Sequence, residues 1–408
     1  MNMVYFDNAA TTAVSELALK EMSPYFSQKY GNASSLHQYG QEASQALSKA
    51  RQTVTQILGA KPSEIFFTGG ASESNNWMIK GVVEAASSLL PAGAKPHLIV
   101  SPIEHHCVLD TAEYLEQSGQ AQVSWLSVDS AGLVGPRDII SLIQDNTVLV
   151  SVMYVNNEIG TIEPIAEIGA ALREYNSQNR SVSPLTSHLP LPIAFHTDAV
   201  QAVQYLDCRV DRLGVDALSL SAHKFHGPKG VGIAFIRQGT KIARFIHGGA
   251  QEANQRAGTE NVSGIVGLEA ALLEAANNRQ KNFEHVSQLQ KSLIDQVLRI
   301  DNVQLTGPLP GRHRVPHIAS FVVSGVDGEA LLLRLDSEGF AVSSGSACTS
   351  ASLDPSHVLL AIGVGEAESH GSIRVSLSSY NTQEEVDQFV VAFKKVIKEV
   401  RALAPRLS

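Results

Sequence analysis

The chain has 408 residues, 44% hydrophobic and 17% charged, with a formal net charge of -9. That length suits two unequal domains around an ample core, and acidity without a basic stripe excludes a general nucleic-acid binder. No apolar run approaches the roughly 18–20 residues of a membrane span, and 3 cysteines in so long a chain exclude a disulfide framework and point to a reducing, cytoplasmic setting.

Taken in chain order, the start MNMVYFDNAATT carries neither the basic nor the apolar block of a signal peptide. A helical pattern over 41–58 follows. Short β-rich runs then succeed one another: EIFFTGG (64–70), HLIVS (97–101), VSWLSV (123–128), TVLVSVMYV (147–155), PIAFHTDA (192–199), ALSLSAH (217–223) and GIAFI (232–236). Most are continuously apolar, as strands covered on both faces are. With helical patterns between them, such as 167–178, they predict an open, mostly parallel α/β sheet of seven strands. Only KFHGPKGV separates the last two, too short for a crossover helix, so that pair is expected as an antiparallel edge. The polar, proline-containing stretch 177–192 reads as a surface excursion.

Beyond 262 the character changes. A long helical stretch (264–298) leads into a smaller α+β region ending in an amphipathic helix. There Val386, Phe389, Val390, Phe393, Val396, Ile397 and Val400 recur at helical spacing, and Thr382 with Glu385 forms a capping box. The expected division is a large α/β domain, 16–262, and a small α+β domain made of 1–15 and 263–408.

In open parallel sheets, ligands sit beyond the carboxyl ends of the strands, and here those ends carry polar groups. GGASESNN after FFT offers a helix start with Ser72, a phosphate seat, or else a plain strand-to-helix turn. Glu104-His105-His106-Cys107 follows HLIVSPI without zinc-like spacing. His105 is then either a solvated loop residue or an imidazole lying over a planar ligand. Asn156-Asn157-Glu158 follows VLVSVMYV. Asp198, with Gln201 a short turn on, is either a helix N-cap or an acid facing a cation. Lys224, at the lip of its strand, is either a snorkelling surface lysine or a desolvated nucleophilic amine. Together these groups are the parts of a pyridoxal phosphate site: phosphate cradle, stacking imidazole, acid for the ring nitrogen and imine-forming lysine. SSGSACTSAS (343–352) surrounds Cys348 with residues no larger than threonine, a composition suited to a mobile nucleophile. Cys107 and Cys208 read as structural.

YFDNAATT, TGGASESNN, EHHCVLDT, VNNEIGTIEPI, HTDAVQ, SLSAHKFHGPKG, RAGTEN and SSGSACTSAS together resemble the cysteine desulfurases of the NifS/IscS type. Those enzymes belong to the fold-type I, class V aminotransferase superfamily, and the long loop is similar to that of group I. The resemblance implies pyridoxal 5'-phosphate as cofactor. Lys224 would be its imine partner and α-proton base, His105 would stack on the ring, Asp198 would face the ring nitrogen and Gln201 the ring hydroxyl. Ala71, Ser72, Ser221 and His223 would hold the phosphate, with Thr259 supplied by the partner of a homodimer. Asn157 would contact cofactor and substrate, and Arg374 the substrate carboxylate. The implied activity turns L-cysteine into L-alanine and leaves a persulfide on Cys348 for an acceptor protein in iron–sulfur assembly or tRNA thiolation. The ending RALAPRLS is shorter than the tail IscS-type relatives use to dock their scaffold. Selenocysteine lyase, another class V activity, or a non-catalytic sulfur relay stay open as alternatives.

Overall fold

The computed structural model describes residues 3–91, 93–180, 191–344 and 355–403. All seven apolar runs form strands: β1 (Ile65–Thr68), β2 (His97–Val100), β3 (Gln122–Trp125), β4 (Thr147–Ser151), β5 (Ala194–Asp198), β6 (Ala217–Ser221) and β7 (Gly232–Ile236). They make one sheet in the order β1-β7-β6-β5-β4-β2-β3. β3, β2, β4, β5 and β6 run parallel, and β7 is antiparallel to both its neighbours. The short link between β6 and β7 does give an antiparallel pair, but not an edge. β1, distant in sequence, adds outside β7, pairing with it from Ile65 opposite Phe235 to Thr68 opposite Gly232.

Every residue of β1, β2, β4, β5, β6 and β7 is buried, as the continuous apolar runs require of strands packed on both faces. Helices Gln38–Leu58, Ala71–Ser87, His106–Gln117 and Ile165–Asn179 surround this sheet. The last of these takes in Ser177–Asn179, which the sequence placed in the surface excursion. Arg180 then turns inward, 7% exposed, donating to the carbonyl of Gln144 at 2.7 Å. Residues 181–190 lie outside the described part.

A 36-residue helix, Val262–Val297, leads to a three-stranded antiparallel sheet of β8 (Val303–Leu305), β9 (Ile318–Val323) and β10 (Ser372–Ser376), in the order β10-β9-β8. The terminal helix Gln383–Leu403 packs on the helices Val262–Val297 and Gly328–Ser337. It buries Val386, Phe389, Phe393, Val396, Ile397 and Val400 as the periodicity predicts. Its capping box is present: Glu385 N–H donates to Thr382 Oγ1 at 3.2 Å, and Thr382 N–H to Glu385 Oε2 at 2.9 Å. The N-terminal segment packs on this part of the chain: Val4–Tyr5 pairs with Phe340–Ala341, and Asp7 bridges Ser376 of β10.

After β4 the chain makes a hairpin closed by the Val155–Ile162 bridge. Asn156 builds its turn, its Oδ1 accepting from the N–H groups of Glu158 and Ile159, both at 2.9 Å. Glu163 ends the hairpin, 2% exposed, with one carboxyl oxygen accepting from Val134 N–H at 3.0 Å. Burial pushes its pKa up from 4.5 to about 8. A folded-state value above the unfolded one means the fold favours the neutral acid. That contribution is complete below about pH 4.5 and lost as pH rises through about 8. Glu163→Gln is therefore expected to flatten the fall in melting temperature between about pH 5 and about pH 9, an effect on the order of a few kcal/mol. Parallel pH profiles of wild type and variant would contradict this.

Candidate active site

The carboxyl ends of the parallel strands open into a cleft of ≈ 660 Å³. Ala71, Ser72, His105, Asn157, Asp198, Gln201, Ser221, His223, Lys224 and Arg374 all line it, as the sequence predicts of them.

At one end is the start of helix Ala71–Ser87. Gly70, its N-cap, has φ 148, a conformation that costs other residues dearly. Gly232 on β7 comes so close that a Cβ there would lie 2.7 Å from Gly70 Cα. These two glycines let the helix N-terminus sit directly against the sheet, with Ser72, Ser221 and His223 around its unpaired N–H groups. Burial, then Lys224 and Lys229, lowers the His223 pKa to about 4. The neutral ring's Nδ1 lies 3.2 Å from Thr11 Oγ1. Sequence reasoning missed two residues here. Glu73 pairs with Arg256 at 2.8 Å, which balances a carboxylate that would otherwise face the seat and ties segment 251–260 to it. Glu73 is also the N–H acceptor of Gly69, at 2.7 Å.

Lys224 ends the single 3-10 turn Ala222–Lys224 after β6. The chain then reverses through His226, whose φ is 65, a value uncommon outside glycine. Thr12 holds that reversal: its Oγ1 accepts from His226 N–H at 2.8 Å. The N-terminal segment therefore frames the lysine, and Lys224 Nζ donates to the carbonyls of Ala9 (2.6 Å) and Ala10 (2.7 Å). Lys224 is half-buried inside the cleft, not a snorkelling surface residue.

Asp198 ends β5 and is 4% exposed. One oxygen accepts from Val200 N–H at 2.9 Å and the other from Asn75 Nδ2 at 2.7 Å. The capping-type contact and the buried acid are both real. Gln201 gives its amide N–H to Ala9 O at 2.8 Å, and its oxygen lies 3.0 Å from His317 Nε2. His105 caps helix His106–Gln117, Nδ1 accepting from Cys107 N–H at 3.2 Å. An accepting Nδ1 leaves the proton of the neutral ring on Nε2. Burial lowers its pKa, with Lys224 acting in the same sense and Asp198 against it.

Arg374, on β10 and 3% exposed, closes the cleft. It donates to the backbone oxygen of Asn157 at 2.8 Å and to Asp7 Oδ1 at 3.0 Å, while its buried Nε has no partner among the described residues. Its backbone is bridged to Ser343.

Thr259 is exposed and does not line its own chain's cleft. Cys348 lies outside the described residues. Cys208 is buried, as expected of a structural cysteine. Cys107 departs from that expectation: it lines the cleft, its sulfur 3.1 Å from both Asn75 Nδ2 and His105 Nδ1. Burial, and secondarily Asp198, raises its pKa to about 12. It is a thiol, not a thiolate, at neutral pH.

Fold and cleft together are those of fold type I, the architecture of the aminotransferases. The chain belongs to the aminotransferase class-V family, whose model matches residues 4–389. Within it, the chain is 45% identical to the cysteine desulfurase IscS of Clostridium botulinum over 403 residues, 98% of this chain and 96% of that protein. It is 39% identical to the cysteine desulfurase of Klebsiella pneumoniae, over 99% of this chain and 95% of that one. A solved NifS-like protein matches with TM-score 0.87 at 38% identity, over 97% of this chain and 100% of that one. The structure described as SspA in complex with cysteine matches with TM-score 0.77 at 36% identity, over 93% and 99%.

Proposed function

We propose that this protein is a cysteine desulfurase that uses pyridoxal 5'-phosphate, converts L-cysteine to L-alanine and loads the sulfur onto Cys348 for an acceptor protein. The observation that carries the reading is convergence: an amine, a buried acid and a helix N-terminus meet in one cleft, each built by a different strand end. Similarity to cysteine desulfurases, and to a relative solved with cysteine, supports the substrate.

The donor set fits the cofactor. Helix N–H groups, Ser72, Ser221 and neutral His223 suit a phosphate, and Lys229 adds positive charge at the same end. The glycine contact between Gly70 and Gly232 is a cradle that a Cβ would fill. Bound there, pyridoxal phosphate supplies an aldehyde carbon that amines attack and an electron-withdrawing ring.

The protein's own groups do the rest. Lys224, fixed by the two carbonyls, is the amine that would hold the cofactor and then move the proton at the substrate α-carbon. Asp198 would hold positive charge at the ring nitrogen, and Gln201 would face the ring hydroxyl. His105 would cover the ring face, with its Nε2–H available as a donor. Arg374 and Asn157 fix the substrate carboxylate. Cys348 attacks the substrate sulfur: an S–S bond forms, the carbon–sulfur bond breaks, and the carbon side gains a proton. The carbon is reduced and the sulfur pair oxidised, so no outside oxidant is needed. With 3 cysteines in the chain and the other two held as thiols near pKa 12, the nucleophile falls to Cys348. A second copy would bring Thr259 to the phosphate, and Arg256 anchors the segment that carries it.

The test is alanine release from L-cysteine by purified protein, with thiol-sensitive sulfur loaded one-for-one. Cysteine consumed without alanine would refute the reading. Arg374→Ala should raise KM for cysteine about 10–100-fold, the size of a lost charge-assisted contact, with a smaller change in kcat. Because Asp7 loses its partner, Arg374→Lys is the companion variant, and an unmoved KM in both would place the carboxylate elsewhere.

A further inference from the structure

We propose that Asn75 is a positioning residue for Asp198: its amide donates to the carboxylate and is locked in that orientation by His196 behind it. The inference rests on the reading of Asp198 as the acid facing the cofactor ring.

Asn75 lies one turn into helix Ala71–Ser87, on the side of the phosphate seat, and is 0% exposed. Its Nδ2 is 2.7 Å from Asp198 Oδ2 and its Oδ1 is 3.1 Å from His196 Nε2. A carboxylate only accepts, so the atom beside Asp198 is the NH2 group and the oxygen faces His196. His196 must then carry its proton on Nε2, which leaves Nδ1 as an acceptor, 2.9 Å from Ser151 Oγ. Ser151 Oγ in turn lies 3.3 Å from Glu104 Oε1. Burial raises the Glu104 pKa well above 4.5 and lowers that of His196 to about 3. The single Ser151 hydroxyl proton is used on His196 Nδ1, which leaves Ser151 to accept from Glu104, whose neutral form burial favours; His196 is itself neutral.

The result is a chain of one polarity, Glu104 to Ser151 to His196 to Asn75 to Asp198, with every proton pointing towards the carboxylate. The first four members are 0% exposed and Asp198 is 4% exposed, so each contact acts in a low dielectric. A flipped Asn75 would set a carbonyl against the carboxylate. The second Nδ2 proton goes to Cys107 Sγ at 3.1 Å, which touches His105 Nδ1 at the same distance. One amide thus ties the acid to the histidine on the other side of the cleft.

Nitrogen NMR of histidine-labelled holoenzyme, with His196 identified by the signal lost in His196→Gln, tests the polarity. The expected result is a neutral ring protonated at Nε2 from about pH 6 to about pH 9. A proton on Nδ1, or a charged ring, overturns the proposal. Asn75→Leu should lower kcat about 10–100-fold and change KM for cysteine less than about threefold. It should also displace the pH titration of the visible cofactor band by about one unit. A merely structural Asn75 would lower the melting temperature and leave the band titration in place, which also overturns it. Should the leucine variant not fold, Ser151→Ala, a small change at the far end of the chain, should displace that titration in part, and no displacement counts against the proposal. Wild type without bound pyridoxal phosphate would instead sink the cofactor reading itself.

Discussion

Lys224→Ala is expected to purify colourless and to form alanine from cysteine at least about 10⁴-fold more slowly than wild type, the upper range of a lost proton-transfer group. Two roles fall together in this variant. The amine that would hold the cofactor is gone, and so is the basic group that the carbonyls of Ala9 and Ala10 hold in the cleft. Folding should survive, because Lys224 is half-buried and sits in a turn kept by Thr12 and His226. Visible absorbance after gel filtration and alanine quantitation check this. A yellow, active variant would remove Lys224 from the chemistry.

Cys348→Ala should behave in the opposite way. It keeps the cofactor and its colour, because no group that would hold the cofactor changes, but loses sulfur release by about 10³-fold or more, as removal of a nucleophile does. Cys107→Ser is the control that separates the two thiols. Its sulfur lies in the cleft yet is held protonated, with a pKa near 12, so sulfur release should stay within about tenfold of wild type. Undiminished turnover in Cys348→Ala, or its abolition in Cys107→Ser alone, would reverse the assignment.

Much of the site is legible from the sequence because the fold writes it in the order of the strands. A strand buried on both faces appears as an apolar run, and the first polar residue after it stands at the ligand-binding edge. Ser72, His105, Asp198 and Lys224 could be singled out on that ground, each with a plain structural alternative until they were taken together. What stayed hidden is what sequence patterns do not encode. Ala9 and Ala10 act through backbone oxygens, which leave no trace in residue type. Glu73 and Arg256 meet across 183 residues, and Asn75 and His196 across 121. A weak signal was nonetheless present for the last pair. His196 and Asp198 alternate onto one face of β5, and Asn75 follows Ala71 by one helical turn. Two polar positions buried behind a suspected acid could have been asked for a shared partner. The insertion of β7 between β1 and β6 was likewise invisible, since pairing between distant strands leaves no local period.

The most direct measurement is reductive trapping. The holoenzyme is treated with sodium borohydride, digested, and its peptides are weighed and sequenced by mass spectrometry. The phosphopyridoxyl group should appear on the peptide containing Lys224 and on no other. Finding it on Lys229, the other lysine lining the cleft, or finding no modified peptide in active protein, would contradict the account.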